Sequence, residues 1–337
     1  MAANKEITAL SRFKNGRVAV IGDIMLDAYL WGAVNRISPE APVPVVDVRR
    51  RSCCPGGAAN VIRNLATLGG QAKAFGIVGN DPAGREVIAL LKEYGADTTG
   101  IIRSNERRTT EKCRVVAGAQ QLLRADFEDT APIPEPARKK LVKQVISLIR
   151  AREIDAVIFD DYAKGVLCSE MLQSIIKEAR KQNIFTMLDP KPKAGGVTPT
   201  AGLTLLKPNR SEAFALAGIN DPGPADDPAN DLPLHQAASR IFKLWQPENL
   251  LISLAGQGMI LFPSDGKPEV IPTRAREVFD VSGAGDTVAA VCTLALATGC
   301  STLLAAELAN RAAGVVVAKI GTAPILYNEL LAEVSGN

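Results

Sequence analysis

Histidine is almost missing from this chain: one residue, His235, in 337. A zinc site built on two or three imidazoles is therefore excluded, as is any HExxH pattern. A histidine-based catalytic triad must use His235 or not exist. General-base chemistry falls instead to a carboxylate, a lysine or a cysteine. CxxC pairs are also lacking. Of the six cysteines, Cys53, Cys54, Cys113, Cys168, Cys292 and Cys300, the adjacent Cys53 and Cys54 cannot easily bridge each other. Cys292 lies in an apolar run and reads as a small core hydrophobe. No 18 apolar residues occur in succession, so no membrane span is expected. The opening residues, MAANKEITALSRFKNG, lack the apolar core of a secretory signal, and the expectation is a protein of the reducing cytoplasm. Excess charge of one sign is missing too. Lys and Arg number 39 against 36 Asp and Glu, which gives no reason to expect a nucleic acid or an anionic membrane as partner.

What is present is an ordinary globular composition, 47% hydrophobic and long enough for a large core in one big domain or two. Strand-like and helix-like segments alternate. Arg17–Ile21, Lys73–Val78, Ala156–Phe159, Ile184–Leu188, Leu203–Leu206 and Leu250–Leu254 read as buried strands. Gly57–Leu68, Gly84–Tyr94, Pro136–Arg150 and Ser169–Gln182 read as helices. This alternation predicts an α/β fold around a mainly parallel sheet, whose ligands bind beyond the carboxyl ends of the strands. Those ends carry Asp23, Asp161, Asp189 and Asn209. Two segments break the pattern, Val43–Arg51 and Thr109–Glu128, the second resembling a hairpin that turns near Gly118. They predict either a small sheet standing off the domain as a lid or edge strands of the main sheet. Asn220–Pro233 is a Pro/Asp-rich surface loop.

The familiar phosphate-binding fingerprints are absent: no GxxxxGK[ST], no GxGxxG after the first strand, no protein-kinase set. The informative stretch is Asp280–Thr287, DVSGAGDT, before an apolar helix. Gly283, Ala284 and Gly285 permit a turn that points several N–H groups to one side, and the helix N-terminus adds its dipole. That combination is an anion hole suited to a transferring phosphoryl group. Asp286 follows on the first helical turn, either as a helix cap or as a base that deprotonates a hydroxyl attacking the bound phosphate. Pro55–Asn60, PGGAAN, opens a helix with paired glycines. Lys207–Glu212, KPNRSE, places Asn209 and Glu212 on one face of a first helical turn. That arrangement suits either a capping pair or a carboxylate that orders magnesium and its waters.

PGGAANV near the start, PNxxE in the middle and DVSGAGDT near the end, in that order, resemble the ribokinase-like (PfkB) carbohydrate kinases. Gly22–Asp27 (GDIMLD), Arg36–Val46 (RISPEAPVPVV), Gln120–Glu128 (QQLLRADFE), Asp161–Gly165 (DYAKG) and Ala312–Gly321 (AAGVVVAKIG) resemble one member group. These are the bacterial D-glycero-β-D-manno-heptose-7-phosphate kinases of lipopolysaccharide synthesis. The resemblance covers about residues 10–330. It implies a three-layer sandwich with a small β-sheet lid, formed by about residues 43–54 and 109–128 in one kinase domain, and a homodimer joined through the lids. It implies that ATP phosphorylates the anomeric hydroxyl of the sugar phosphate with Mg2+, and leaves a monovalent cation open. Asp286 would be the base, and the N–H groups of Gly283, Ala284 and Gly285 the anion hole. Asn209, Arg210, Ser211 and Glu212 would meet the nucleotide and magnesium, Glu212 through water. Asp27, Gly56, Gly57 and Asn60 would hold the sugar, with Asp189 beside it. For the sugar's own phosphate the cations Lys112, Arg114, Arg124, Lys164 and Lys191 are available, Arg124 and Lys164 ranking first because they fall inside matched motifs. Lys207 stands where the group also uses threonine. Some relatives add a nucleotidyltransferase domain whose signature needs two histidines, so none is expected in this sequence. Two alternatives are another sugar kinase of the same fold and, from a different class, an inactive sugar-binding regulator.

His235 lies outside every matched motif. His235→Gln is expected to leave turnover intact, as read from steady-state kinetics of the variant beside the parent.

Overall fold

A computed structural model describes residues 2–118, 120–192, 197–275, 277–319 and 321–336. Among them the chain runs through thirteen strands and ten helices. The order is α1 (Ala2–Arg12), β1 (Arg17–Gly22), β2 (Ile24–Ile37), β3 (Pro44–Gly57), α2 (Ala58–Thr67), β4 (Gln71–Gly79), α3 (Pro82–Glu93) and β5 (Asp97–Ser104). Next come β6 (Thr110–Ala117), β7 (Gln120–Phe127), α4 (Glu135–Arg150), β8 (Ala156–Asp160), α5 (Ser169–Lys181), β9 (Phe185–Asp189), β10 (Leu205–Leu206) and α6 (Arg210–Ala217). The chain ends with α7 (Leu232–Trp245), β11 (Asn249–Ser253), β12 (Met259–Pro263), β13 (Glu269–Ile271), α8 (Ala284–Ala297), α9 (Thr302–Val316) and α10 (Tyr327–Ser335).

The main sheet has nine strands in the order β13-β12-β11-β10-β9-β8-β1-β4-β5. It is parallel from β11 to β5, with β12 and β13 antiparallel at one edge. Its strands read as unbroken apolar runs because both faces are covered. In β1, Val18 and Val20 pack under α1, α2, α3, α8, α9 and α10, while Ala19 and Ile21 pack over α4, α5, α6 and α7. Helix α8 is apolar nearly all round because it is enclosed, and every residue from Asp286 to Leu296 is buried. The expected three-layer α/β sandwich is present. No described helix is long and apolar enough to cross a membrane.

A second sheet of four strands, in the order β3-β2-β6-β7, stands apart. This decides for the separate lid sheet over edge strands, and it enlarges the expected lid. Ile24–Ile37 is its central strand, and β3 runs on through the PGG motif to Gly57. The inner ends of both strands are buried and their outer ends exposed. Each therefore leaves the core as one continuous ribbon, bent by irregularities at Trp31/Gly32 and Val34/Arg36. The hairpin of β6 and β7 turns at Gly118 as expected, with φ at +60°.

Parallel register places the acidic strand ends side by side. Gly22 pairs with Asp160, and Asp160 with Asp189. Gly22 is needed at that crossing, since a Cβ there would lie 2.2 Å from the Asp160 carbonyl oxygen.

Candidate active site

The carboxyl ends of β8 and β9 and the first turn of α8 converge on one cluster. Asp160, Asp189 and Asp286 bring carboxylate oxygens within 4.8 Å of one another. Burial raises all three carboxyls; Asp189 is pushed up to about 6, and Asp160 rises furthest, with Asp286 and Asp189 adding repulsion. Like charges this close resist joint ionisation. Lys207 supplies the compensating cation. It is 3% exposed and lies 2.8 Å from Asp189. Burial works against its ammonium, but Asp189, Glu212 and Asp286 outweigh that and raise it.

Asp286 is 6% exposed, and both of its oxygens are held. Asn60 Nδ2 donates to Oδ2 at 2.7 Å, and the Tyr162 hydroxyl donates to Oδ1 at 2.7 Å. Burial raises the carboxyl, while Asn60, Tyr162 and Lys207 pull it down. Just before it, Gly283 adopts φ +81° and opens α8. The N–H groups of a first helical turn have no intrahelical acceptor, and Gly283 and Gly285 line the cavity at this helix start. The N–H of Ala284 instead donates to the Val281 carbonyl at 3.2 Å, closing the turn, which corrects its place in the anion hole.

A cavity of about 910 Å³ opens from this cluster. Lys207, Asn209, Glu212, Gly283, Gly285 and Asp286 line one end, and Leu254, Val281 and Val317 are among its apolar walls. Asn209 and Glu212 form a reciprocal capping box at the start of α6. Glu212 accepts from the Asn209 N–H at 3.0 Å and from Lys191 Nζ at 2.8 Å. The capping reading of this motif is present, and the carboxylate that caps also borders the cavity. Lys191, one of the five candidate cations for the sugar's phosphate, lies here against Glu212. Arg210 is turned to Asp221, Asp231 and the Gly223 carbonyl and ties down the Pro/Asp-rich loop, so its guanidinium is committed to the fold. Ser211 bonds the Asn209 side chain at 2.8 Å.

A second group of the expected site residues lies on the smaller sheet. Asp27, on β2, is buried and pairs with Arg114 on β6 at 2.6 Å. Gly56 lets β3 close on it, since a Cβ would lie 2.4 Å from Asp27 Oδ2. Gly57, at φ +54°, turns the chain into α2. Asn60 then points its side-chain amide at Asp286. Of the four cations Lys112, Arg114, Arg124 and Lys164, Arg114 makes the buried contact with Asp27. Arg124 is half exposed and bonded to Asp126 at 2.7 Å, and Lys164 pairs with Glu128 at 2.6 Å. Motif membership reports strand position, whereas the pairing of β2 with β6 sets which cation reaches Asp27.

Four residues of the site had no assigned role in the sequence reading: Asp23, Asp160, Tyr162 and Lys207. Asp23 is 2% exposed and accepts the N–H groups of Tyr162, Lys164 and Val166 at 2.9, 3.1 and 3.2 Å. The usable signal was the strand-end position of the first two and the buried run before Lys207.

The comparisons agree with this geometry. The family described as pfkB family carbohydrate kinase matches residues 15–328. The bifunctional protein HldE of Trichlorobacter lovleyi is 42% identical over 316 residues, covering 94% of this chain and 62% of that protein. HldE of a Caulobacter species is 44% identical over 324 residues, covering 95% and 63%. The chain thus spans somewhat over three fifths of the length of these relatives. Among solved structures, Escherichia coli phosphofructokinase-2 in complex with potassium aligns with a TM-score of 0.74, at 21% identity over 95% of this chain and 98% of that one. Arabidopsis thaliana ribokinase complexed with ribose and ATP aligns with a TM-score of 0.68, at 20% identity over 95% and 98%. Both likenesses show the ribokinase-like fold.

Burial pushes the Asp161 carboxyl up to about 6, against the bonds it accepts from the N–H groups of Ala163 and Val197. A folded pKa above the unfolded one stabilises the protonated protein. That contribution is full below pH ~4 and is lost as pH rises through ~6. Asp161→Asn removes the dependence. Its stability relative to the parent should therefore rise by up to ~3 kcal/mol between pH 4 and pH 7, read from urea unfolding at both ends. A constant difference across that range would contradict the assignment.

Proposed function

The chain belongs to the pfkB family of carbohydrate kinases, and from that premise we propose that it transfers the γ-phosphate of ATP to the anomeric hydroxyl of D-glycero-β-D-manno-heptose 7-phosphate. The product is the 1,7-bisphosphate, an intermediate toward ADP-heptose. The observation that carries the reading is Asp286. It is a buried carboxylate beside the Gly283/Gly285 turn, held on both oxygens, where the nucleotide-sized cavity meets the lid. The heptose part rests on relatives named HldE that match nearly the whole chain at about 42% identity. Those relatives are longer, and this chain covers 62% and 63% of their lengths.

In this reading ATP lies in the cavity, with its base against Leu254, Val281 and Val317. The N–H groups of Gly283 and Gly285 and the Lys207 ammonium face the developing charge, which is where preorganised donors reduce a barrier most. Glu212 fits a magnesium ion through water: its oxygens border the cavity but already accept from Asn209 and Lys191, and magnesium retains several of its waters. When bound there, the ion offsets charge on the triphosphate. Asp27, with Gly56 behind it, orients the acceptor. Asp286 takes the proton of the attacking hydroxyl late, since that hydroxyl is a weak acid until its oxygen bonds phosphorus. Lys112, Arg114, Arg124 and Lys164 offer the positive charge that a distant sugar phosphate needs. A homodimer through the lid is part of the proposal. Its support is the apolar surface on the lid strands, where Val34, Ile37, Val48, Leu123 and Phe127 are exposed.

Asp286→Asn should lower turnover by roughly 10²–10⁴-fold with folding intact. Near-parental turnover would remove it as the base. Glu212→Gln should weaken the magnesium dependence, and an unchanged magnesium titration would remove that role. ATP consumption against a panel of sugar phosphates tests the substrate. The expected result is turnover with heptose 7-phosphate and little with ribose or fructose 6-phosphate; the reverse preference would replace the heptose assignment with another sugar.

A further inference from the structure

Tyr162 has no part in the chemistry described so far, yet it touches the central carboxylate. Its hydroxyl donates to Asp286 Oδ1 at 2.7 Å. Its ring lies beneath the ammonium of Lys112, 5.6 Å from the ring centroid, and Lys112 comes from the lid strand β6. Its own N–H is held by Asp23 at 2.9 Å. Three elements therefore fix one side chain: the loop after β1, the lid, and α8.

The loop that carries Tyr162 is built to hold it. Ala163 sits at φ +54°, a left-handed conformation costly for alanine, and its N–H is captured by Asp161 Oδ1 at 2.8 Å. Gly165 follows at φ +86°, where a Cβ would lie 2.1 Å from the Ala131 carbonyl oxygen. Strained backbone persists only where its surroundings over-determine it, and here the surroundings serve to aim a single phenol.

The chemistry of the contact is simple. Burial and the neighbouring carboxylates raise the Tyr162 phenol well above its ordinary range, so it remains a donor. A carboxylate oxygen has two lone pairs. With one on Oδ1 given to Tyr162 and one on Oδ2 given to Asn60, a lone pair on each oxygen is left for an acceptor hydroxyl, and the plane of the carboxylate is fixed. The groups facing Asp286 are Asp160 from β8, Asp189 from β9, Lys207 after β10, Asp27 from β2 and Asn60 from α2.

We propose that Tyr162 is a positioning residue for Asp286. Its hydroxyl orients the carboxylate toward the acceptor, and its ring links that carboxylate to Lys112 of the lid. The proposal rests on the reading of Asp286 as the base. The discriminating variant is Tyr162→Phe, which keeps the ring under Lys112 and removes only the donor. Turnover should fall by roughly 10–10²-fold while the KM for ATP changes little. The acidic limb of kcat/KM should move to higher pH, because a lost bond to the ionised form raises the carboxyl's pKa. A residue that merely fills space would leave that limb in place. The Asp286 carboxyl is also followed by carbon NMR in the protein without substrate, parent against Tyr162→Phe, with Asp286→Asn identifying the signal. A parent protein that consumes no ATP with any sugar phosphate removes the proposed function, and the NMR titration still decides on Tyr162. A folded Tyr162→Phe protein in which Asp286 titrates where it did before overturns the inference.

Discussion

The site depends on the crowding of three buried carboxylates. Asp160, Asp189 and Asp286 share a space no wider than 4.8 Å between their oxygens. Taking even one such charge out of water is expensive, and three together are sustained only by pairing, hydrogen bonds or protonation. Each neighbour answers one part of that demand. Lys207 pairs with Asp189, Asn60 and Tyr162 bind Asp286, and burial drives Asp160 toward its neutral form. The cluster exists because parallel strands end in register, so Asp160 and Asp189 stand opposite each other at the ends of β8 and β9. The geometry of the sheet thereby sets the electrostatics of the site.

Much of this arrangement was legible beforehand. Fully buried parallel strands leave apolar runs that end in polar residues, and β1, β8 and β9 could be read that way within a residue or two. DVSGAGDT and KPNRSE marked the two helix starts that border the cavity. What could not be read were the contacts between segments distant in sequence. Ile24–Ile37 escaped as a strand because its inner half is buried on both faces and its outer half on neither, so no single alternation runs through it. Asn60 lay in a recognised motif, but that its amide meets a carboxylate 226 positions away follows only from α2 packing on α8. Lys191 and Arg114 show the same limit. Charge and motif are local, and the partner of a charge is decided by tertiary register.

Glu212 shows that a structural explanation and a functional one need not compete. Its carboxylate closes the capping box of α6 and accepts Lys191, which fixes it at the rim of the cavity. A cap fixed this firmly keeps little side-chain freedom to lose, which is the property the proposed contact with a hydrated ion would use. Arg210, one residue into the same helix, takes the other course. All three of its guanidinium nitrogens donate to the loop around Asp221, Gly223 and Asp231, part of which lines the cavity. Adjacent residues of one motif thus serve different ends, and only their partners tell them apart.

Two networks of charge meet at a single residue. On one side Lys207, Asp189, Glu212 and Lys191 alternate in sign around the cavity. On the other Arg114, Asp27 and Lys112 alternate in the lid. Asp286 touches both, through the field of Lys207 on the first and through Tyr162 beneath Lys112 on the second. A proton acceptor placed there feels the arrival of charge on either side. No imidazole is needed for such a role. Burial raises the Asp286 carboxyl, and two neutral donors and a nearby ammonium offset part of that rise. The scarcity of histidine is consistent with a site in which burial and fixed partners do the tuning.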